Sequence, residues 1–237
     1  MIDINCDMGE GVGNEALLMP YIHSANIACG YHAGDAATME RVVDLCLQHN
    51  VHIGAHPSLP DRENFGRTAM QLSLIDIHRL VTEQLEILNR VIIKKGGKMH
   101  HVKPHGALYN MAAKETPIAH VIARAVKNFD SSLMYYGLSG SVMIDMAKKE
   151  GLRTASEVFA DRTYQSDGSL TPRSQPNALL TDESAMLQQV MKLVKENSVV
   201  AVTGETVRIQ ADTVCIHGDG THAVEFAKAI YKTLREK

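Results

Sequence analysis

Titratable side chains recur just past short runs of β-branched and apolar residues, and those runs are spread along the whole chain. The first ends in Asn5-Cys6-Asp7-Met8-Gly9-Glu10-Gly11. Strand alternation puts Asn5 and Asp7 on one face and Ile4 and Cys6 on the other. An inward Asp7 is a candidate general base or metal ligand, and the plainer alternative is a carboxylate capping the next loop. His32 lies in Gly30-Tyr31-His32-Ala33-Gly34-Asp35, a glycine-rich turn running into a helix, where free N–H groups favour anions. It is a candidate for substrate or metal contact. His56 closes His52-Ile53-Gly54-Ala55-His56, in phase with His52.

The richest run is His100-His101-Val102-Lys103-Pro104-His105-Gly106. His101 and Lys103 share a face, and His105 stands just beyond. A lysine in such a strand is costly unless it meets a carboxylate or an anionic ligand. Asp7 and Glu157 are the candidate partners. Glu157 is followed by Asp161 and Arg162, whose planar fork suits a substrate carboxylate; alternatively Asp161 and Arg162 pin the loop they begin. His217-Gly218-Asp219-Gly220 is another glycine-rich turn before a helix, able to cradle an oxyanion.

Jointly these groups can activate water and polarise a carbonyl, which is hydrolytic chemistry. Asp7, His32 and His56 are candidate ligands for a divalent metal, and the sequence leaves metal-assisted and pure acid–base chemistry both open. Gly9–Gly13 resembles a phosphate loop only superficially, because it lacks the Lys-Ser/Thr ending. No Gly-x-Ser-x-Gly nucleophile motif is present.

Seven strands are expected to carry these groups: Ile2–Cys6, Ser24–Cys29, Val51–Ala55, Met99–Lys103, Leu133–Tyr136, Arg153–Val158 and Thr213–His217. Helical patterns separate them. The clearest has Leu74, Ile77, Leu80, Val81, Leu85, Leu88, Val91 and Ile92 on one stripe, with Ser73 as N-cap and Gly96-Gly97 at its close. Another carries Met39, Val42, Val43, Cys46 and Leu47 behind Asp35, and a third opens at Thr181-Asp182-Glu183. Such alternation implies a parallel sheet. Polar residues at nearly every strand end favour an irregular seven-stranded (β/α) barrel, whose mouth gathers them, over an open sheet with one switch point. One domain over residues 1–237 is expected. Tyr164–Pro176 is a long loop after a strand, either a lid or an inert excursion, and Val199–Gln210 suggests a hairpin around Gly204.

The chain of 237 residues has a net charge of -3, which leaves no basic footprint for nucleic acid. No apolar run approaches the roughly 20 residues of a membrane span, and the N-terminus lacks signal-peptide character, so a cytoplasmic location is expected. Cys6, Cys29, Cys46 and Cys215 have no Cys-x-x-Cys spacing and lie in apolar segments, as buried thiols do.

At these same positions the chain resembles the family of 5-oxoprolinase A subunits, the LamB/YcsF-type lactam-utilisation proteins. The matching stretches are Asp3–Glu10, Asn26–Asp35, Ile53–Pro57, Phe65–Arg67, Val102–Asn110, Glu157–Arg162 and Ile216–Asp219. The resemblance implies a barrel of the glycoside hydrolase/deacetylase type. It also implies ATP-dependent opening of 5-oxo-L-proline to L-glutamate with partner subunits B and C, ATP being used with or on those partners. On that scheme Asp7 is the expected base, Lys103 and His105 stabilise the oxyanion, and Glu157 orients Lys103. His56 and His217 shape or protonate the intermediate, while Asn5, His32, Arg162 and Asp219 hold substrate. The alternatives are a stand-alone metal-dependent amide hydrolase or sugar deacetylase and a non-catalytic lactam-binding subunit; homo-oligomerisation stays open.

Overall fold

Residues 2–218 and 223–235 are described by a computed structural model. The chain begins with strand β1 (Asp3–Met8), followed by β2 (Ser24–Ala28), β3 (His52–His56), β4 (Met99–Val102), β5 (Met134–Leu138) and β6 (Arg153–Phe159). A small antiparallel pair, β7 (Ser198–Val200) and β8 (Thr206–Arg208), precedes β9 (Thr213–Ile216). β7 and β8 form the hairpin expected within Val199–Gln210. The other seven strands are all parallel and close as a barrel in the order β1-β2-β3-β4-β5-β6-β9, with β9 pairing back to β1. The first and last barrel strands therefore zip together the two ends of the chain.

Helices α1 (Glu15–Leu18), α2 (Ala36–His49), α3 (Leu74–Lys94), α4 (Gly106–Lys114), α5 (Thr116–Phe129), α6 (Val142–Lys149), α7 (Glu183–Glu196) and α8 (Ala223–Arg235) supply the outer layer. Three start where their side chains dictate. Asp35, Ser73 and Asp182 each accept a hydrogen bond from the backbone N–H three residues on, which satisfies one orphan donor of the first turn. The α3 stripe packs Ile77, Leu80, Val81, Leu85, Leu88 and Ile92 inward, while Leu74, expected on that stripe, is 45% exposed at the helix start. Ile4, Cys6 and Met8 face the helices, and all four cysteines are free and buried. Among the described residues, no helix is long and apolar enough to cross a membrane.

The barrel interior is polar rather than filled with branched aliphatics. Asn5 donates through Nδ2 to Thr213 Oγ1 at 2.7 Å, and Asn26 Nδ2 donates to Asn5 Oδ1 at 2.8 Å. His101 Nε2 donates to Asn26 Oδ1 at 2.8 Å, and its ring stacks on Tyr136 at 4.1 Å. Every member is buried, so mutual satisfaction is what makes the network tolerable. Gly54 is needed beside it, since a Cβ there would sit 2.1 Å from His101 Nε2.

Candidate active site

The C-terminal ends of the strands open on a cavity of about 610 Å³. Asp7, His56, Lys103, His105, Arg162 and His217 line it, as the alternation argument requires, together with Glu10. The β3–β4 ladder continues past the strands: Lys103 N–H donates to Ala55 O and His105 N–H to Pro57 O. That extension sets Lys103 and His105 beside His56. Gly106 makes the turn into α4 with φ +54, where a Cβ would lie 2.5 Å from Gly66 O.

Lys103 is the hub of one cluster. Its Nζ lies 2.8 Å from Asp7 Oδ1, 3.2 Å from Asn5 Oδ1 and 3.1 Å from Cys215 Sγ. Glu157 Oε1 is also 2.8 Å away, as an ion pair outside hydrogen-bond angles, and Glu157 Oε2 accepts from Tyr109 Oη at 2.7 Å. Burial pulls the Lys103 ammonium toward neutrality, but Asp7, Cys215 and Glu157 outweigh it and hold its pKa well above the lysine norm. Asp7 shows the complementary balance. Burial pushes its carboxyl up, and His56 and Lys103 hold it well below the usual carboxylate range. Asp7 is therefore ionised, with Oδ1 fixed by Lys103 and Asn26 and Oδ2 3.4 Å from His56 Nε2.

A second cluster brings imidazoles onto one carboxylate. Glu10 Oε1 lies 3.1 Å from His32 Nε2, 3.4 Å from His105 Nδ1 and 3.9 Å from His56 Nε2. The His32 ring stacks on that of His105 at 3.8 Å, nearly parallel. Burial, with the neighbouring His56, lowers the pKa of His32 to about 3 and that of His105 to about 2. Glu10 is pushed up, by burial first and then by Asp7. The metal-ligating trio expected from sequence is Asp7, His32 and His56. The grouping that the structure makes is Glu10, His32, His56 and His105, whose donor atoms all lie within 4.8 Å of one another; Asp7 groups instead with Cys215 and His217.

Across the cavity, His217 Nδ1 lies 2.8 Å from Asp161 Oδ2, and Arg173 Nη2 donates to His217 Nε2 at 3.0 Å. Burial disfavours the imidazolium, yet Asp161 raises the His217 pKa overall. Arg173 arrives on the long loop, which folds back over the mouth with Asp167–Arg173 in the cavity wall.

Several expected substrate contacts sit elsewhere. Asn5 lies beneath the cavity floor, its amide spent on Thr213, Asn26 and Lys103. Glu157, expected to orient Lys103 rather than to touch substrate, is buried with Oε1 2.8 Å from Lys103 Nζ. His32 is behind His105, 1% exposed. Arg162 reaches the cavity wall, but Nε donates to Ala178 O and Nη2 to Thr171 O, so most of its fork anchors the loop. Asp219 lies outside the described residues. Sequence reasoning missed the roles of Glu10 and Arg173. Glu10 lies between Gly9 and Gly11, in a loop whose sequence resembles a phosphate loop more than a ligand site.

Residues 2–237 match the LamB/YcsF family. The chain is 52% identical to the A subunit of 5-oxoprolinase from Tolumonas auensis, over 98% of this chain and 95% of that protein. It superposes on the lactam utilization protein from Thermus thermophilus with a TM-score of 0.92 and 38% identity, covering 99% and 96% of the two chains. A GH113 beta-1,4-mannanase shares the fold alone, at 8% identity and a TM-score of 0.55, over 99% of this chain and 98% of that one.

Proposed function

The chain belongs to the LamB/YcsF family, and from that premise we propose that it is the A subunit of a cytoplasmic 5-oxoprolinase, the subunit that opens the lactam ring. One observation carries the reading: side chains from the ends of β1, β3, β4 and β9 converge on a cavity that holds a fixed carboxylate, a buried ammonium and an imidazole–carboxylate pair. A lactam carbonyl is a poor electrophile, so ATP, used with or on partner subunits B and C, is assigned the task of phosphorylating its oxygen. Ring opening is then hydrolytic.

Asp7 Oδ2 takes a proton from water as the water oxygen bonds to the carbonyl carbon. Lys103 holds Asp7 in place, and its fixed positive charge offsets the negative charge that develops nearby. The ring C–N bond then breaks as the new hydroxyl becomes the carbonyl of an acyl phosphate and releases its proton to solvent, and the nitrogen takes a proton from the His217 imidazolium, which Asp161 stabilises. The acyl phosphate left behind reacts with a second water to give glutamate and phosphate. Arg173 faces the same space and suits the substrate carboxylate. Its bond to Nε2 fits the neutral His217 ring; a carboxylate that draws Arg173 away removes a charge that opposes protonation of His217.

The test is glutamate release with each subunit omitted in turn. Release should require this chain and both partners. Full release from the partners without this chain would remove it from the reaction, and full release from this chain alone would make it a stand-alone hydrolase.

A further inference from the structure

His56 and His105 present a problem in proton bookkeeping. His56 Nδ1 lies 2.7 Å from Lys103 O, and His105 Nε2 lies 2.9 Å from Phe65 O. A backbone carbonyl only accepts, so each of those nitrogens carries the ring proton. The remaining nitrogens, His56 Nε2 and His105 Nδ1, are then lone-pair bearers, and they face each other at 2.9 Å. Two bare lone pairs at that distance repel, so either a proton shared between them or a metal cation bound to both must sit there. Glu10 Oε1 points at the same spot, and the stacked His32 closes it with Nε2.

We propose that Glu10, His32, His56 and His105 bind one divalent cation of the zinc or manganese kind. The dimensions support it. Ligands about 2.0–2.1 Å from a tetrahedral ion lie about 3.3 Å from one another; here Glu10 Oε1 lies 3.1 to 3.9 Å from the three imidazole nitrogens, His56 Nε2 and His105 Nδ1 are 2.9 Å apart, and all four donor atoms fall within 4.8 Å. Three imidazoles and one carboxylate form a donor set suited to borderline first-row ions. The far nitrogens of His56 and His105 already donate to backbone carbonyls, the outer contact that fixes a metal-binding tautomer. Bound there, the ion would supply Lewis-acid polarisation beside Asp7 Oδ2. The site stands on side-chain geometry and is independent of the lactam assignment.

The full-length protein is stripped with a chelator, dialysed, and titrated calorimetrically with Zn²⁺ and with Mn²⁺, with bound metal counted by elemental analysis. One equivalent per chain is expected for at least one of the two. Glu10→Gln and His56→Ala should weaken its binding by about tenfold or more. His52→Gln, an exposed imidazole at the other end of β3, should leave it unchanged. Cobalt-loaded protein adds a spectroscopic readout, whose visible bands should collapse in His105→Ala. If an alanine variant fails to fold by circular dichroism, the near-isosteric Glu10→Gln decides. No stoichiometric uptake of either ion, or uptake unchanged by Glu10→Gln, overturns the site. Neither result depends on glutamate release.

Discussion

Lys103 Nζ stands 2.8 Å from Asp7 Oδ1 and 2.8 Å from Glu157 Oε1, one ammonium held between carboxylates from β1 and β6. All three side chains are nearly inaccessible to water, so each charge depends on the others. Lys103→Met keeps the length of the side chain, strips Glu157 of its ammonium partner and leaves Asp7 with only the neighbouring imidazoles of His56 and His217. It should cost about 3–5 kcal/mol of unfolding free energy, the range for breaking a buried pair. Urea unfolding measures it, and a loss within error of zero would mean that the cluster is already neutralised by protonation.

The same cluster has a pH signature. Asp7 is depressed when folded, so its contribution is present above the unfolded carboxylate value of about 3.9 and is lost as pH falls through the lower folded value. Lys103 is raised, so its contribution is complete below the unfolded value of about 10.4 and is lost as pH climbs through the higher folded one. Wild-type stability attributable to this cluster should be flat between those limits. Lys103→Met should change that profile at both ends, as followed by thermal melts across pH.

Gly54→Ala tests the polar barrel interior. The new methyl would meet His101 Nε2 at 2.1 Å, and that ring is held by its stacking on Tyr136 and its hydrogen bond to Asn26. Overpacking of this kind costs typically about 1–3 kcal/mol. The melting temperature should fall by several degrees, about 2–4 °C per kcal/mol at this size. An unaffected melt would mean that the His101 network yields easily.

Alternation alone was enough to turn Asn5, Asp7, His101 and Lys103 inward, because a strand side chain has only two directions to choose from. The seven strands were legible for a related reason: each is a short run rich in β-branched and apolar residues, bounded by glycine, proline, aspartate or histidine. Glu10 was not legible. Its position depends on Gly9 at φ +75, which curls the loop back toward His32, and no periodicity governs a loop. Arg173 was hidden in the same way, since nothing in Tyr164–Pro176 states that the segment returns over the mouth. Arg162 had the right side chain for an anion, but the carbonyls of Thr171 and Ala178 claim it first.

Asp7→Asn removes a proton acceptor while preserving shape. With both partner subunits present, glutamate release at saturating 5-oxo-L-proline should fall by about 10²–10⁴-fold, the usual weight of a general base. Circular dichroism should confirm the fold, since the amide oxygen of the variant can still accept from Asn26 and Lys103. Turnover at the wild-type rate would strip Asp7 of the base role and shift attention to Glu10, the neighbouring carboxylate whose pKa is pushed up.

Asp161→Asn separates a proton-donating His217 from one that merely lines the wall. Asp161 is the main influence that raises the His217 pKa against burial, so its loss leaves burial and Arg173, which lower it, opposed only by the weaker pull of Asp7. The acid form would then disappear at lower pH, and the alkaline limb of the kcat profile should move toward acid. Arg173→Met should move that limb the opposite way, because it removes a charge that opposes the imidazolium, while raising KM for the carboxylate substrate. Opposite displacements from two residues in contact with the same ring would be hard to produce by a loss of packing. If neither limb moves, His217 is not the donor to the ring nitrogen.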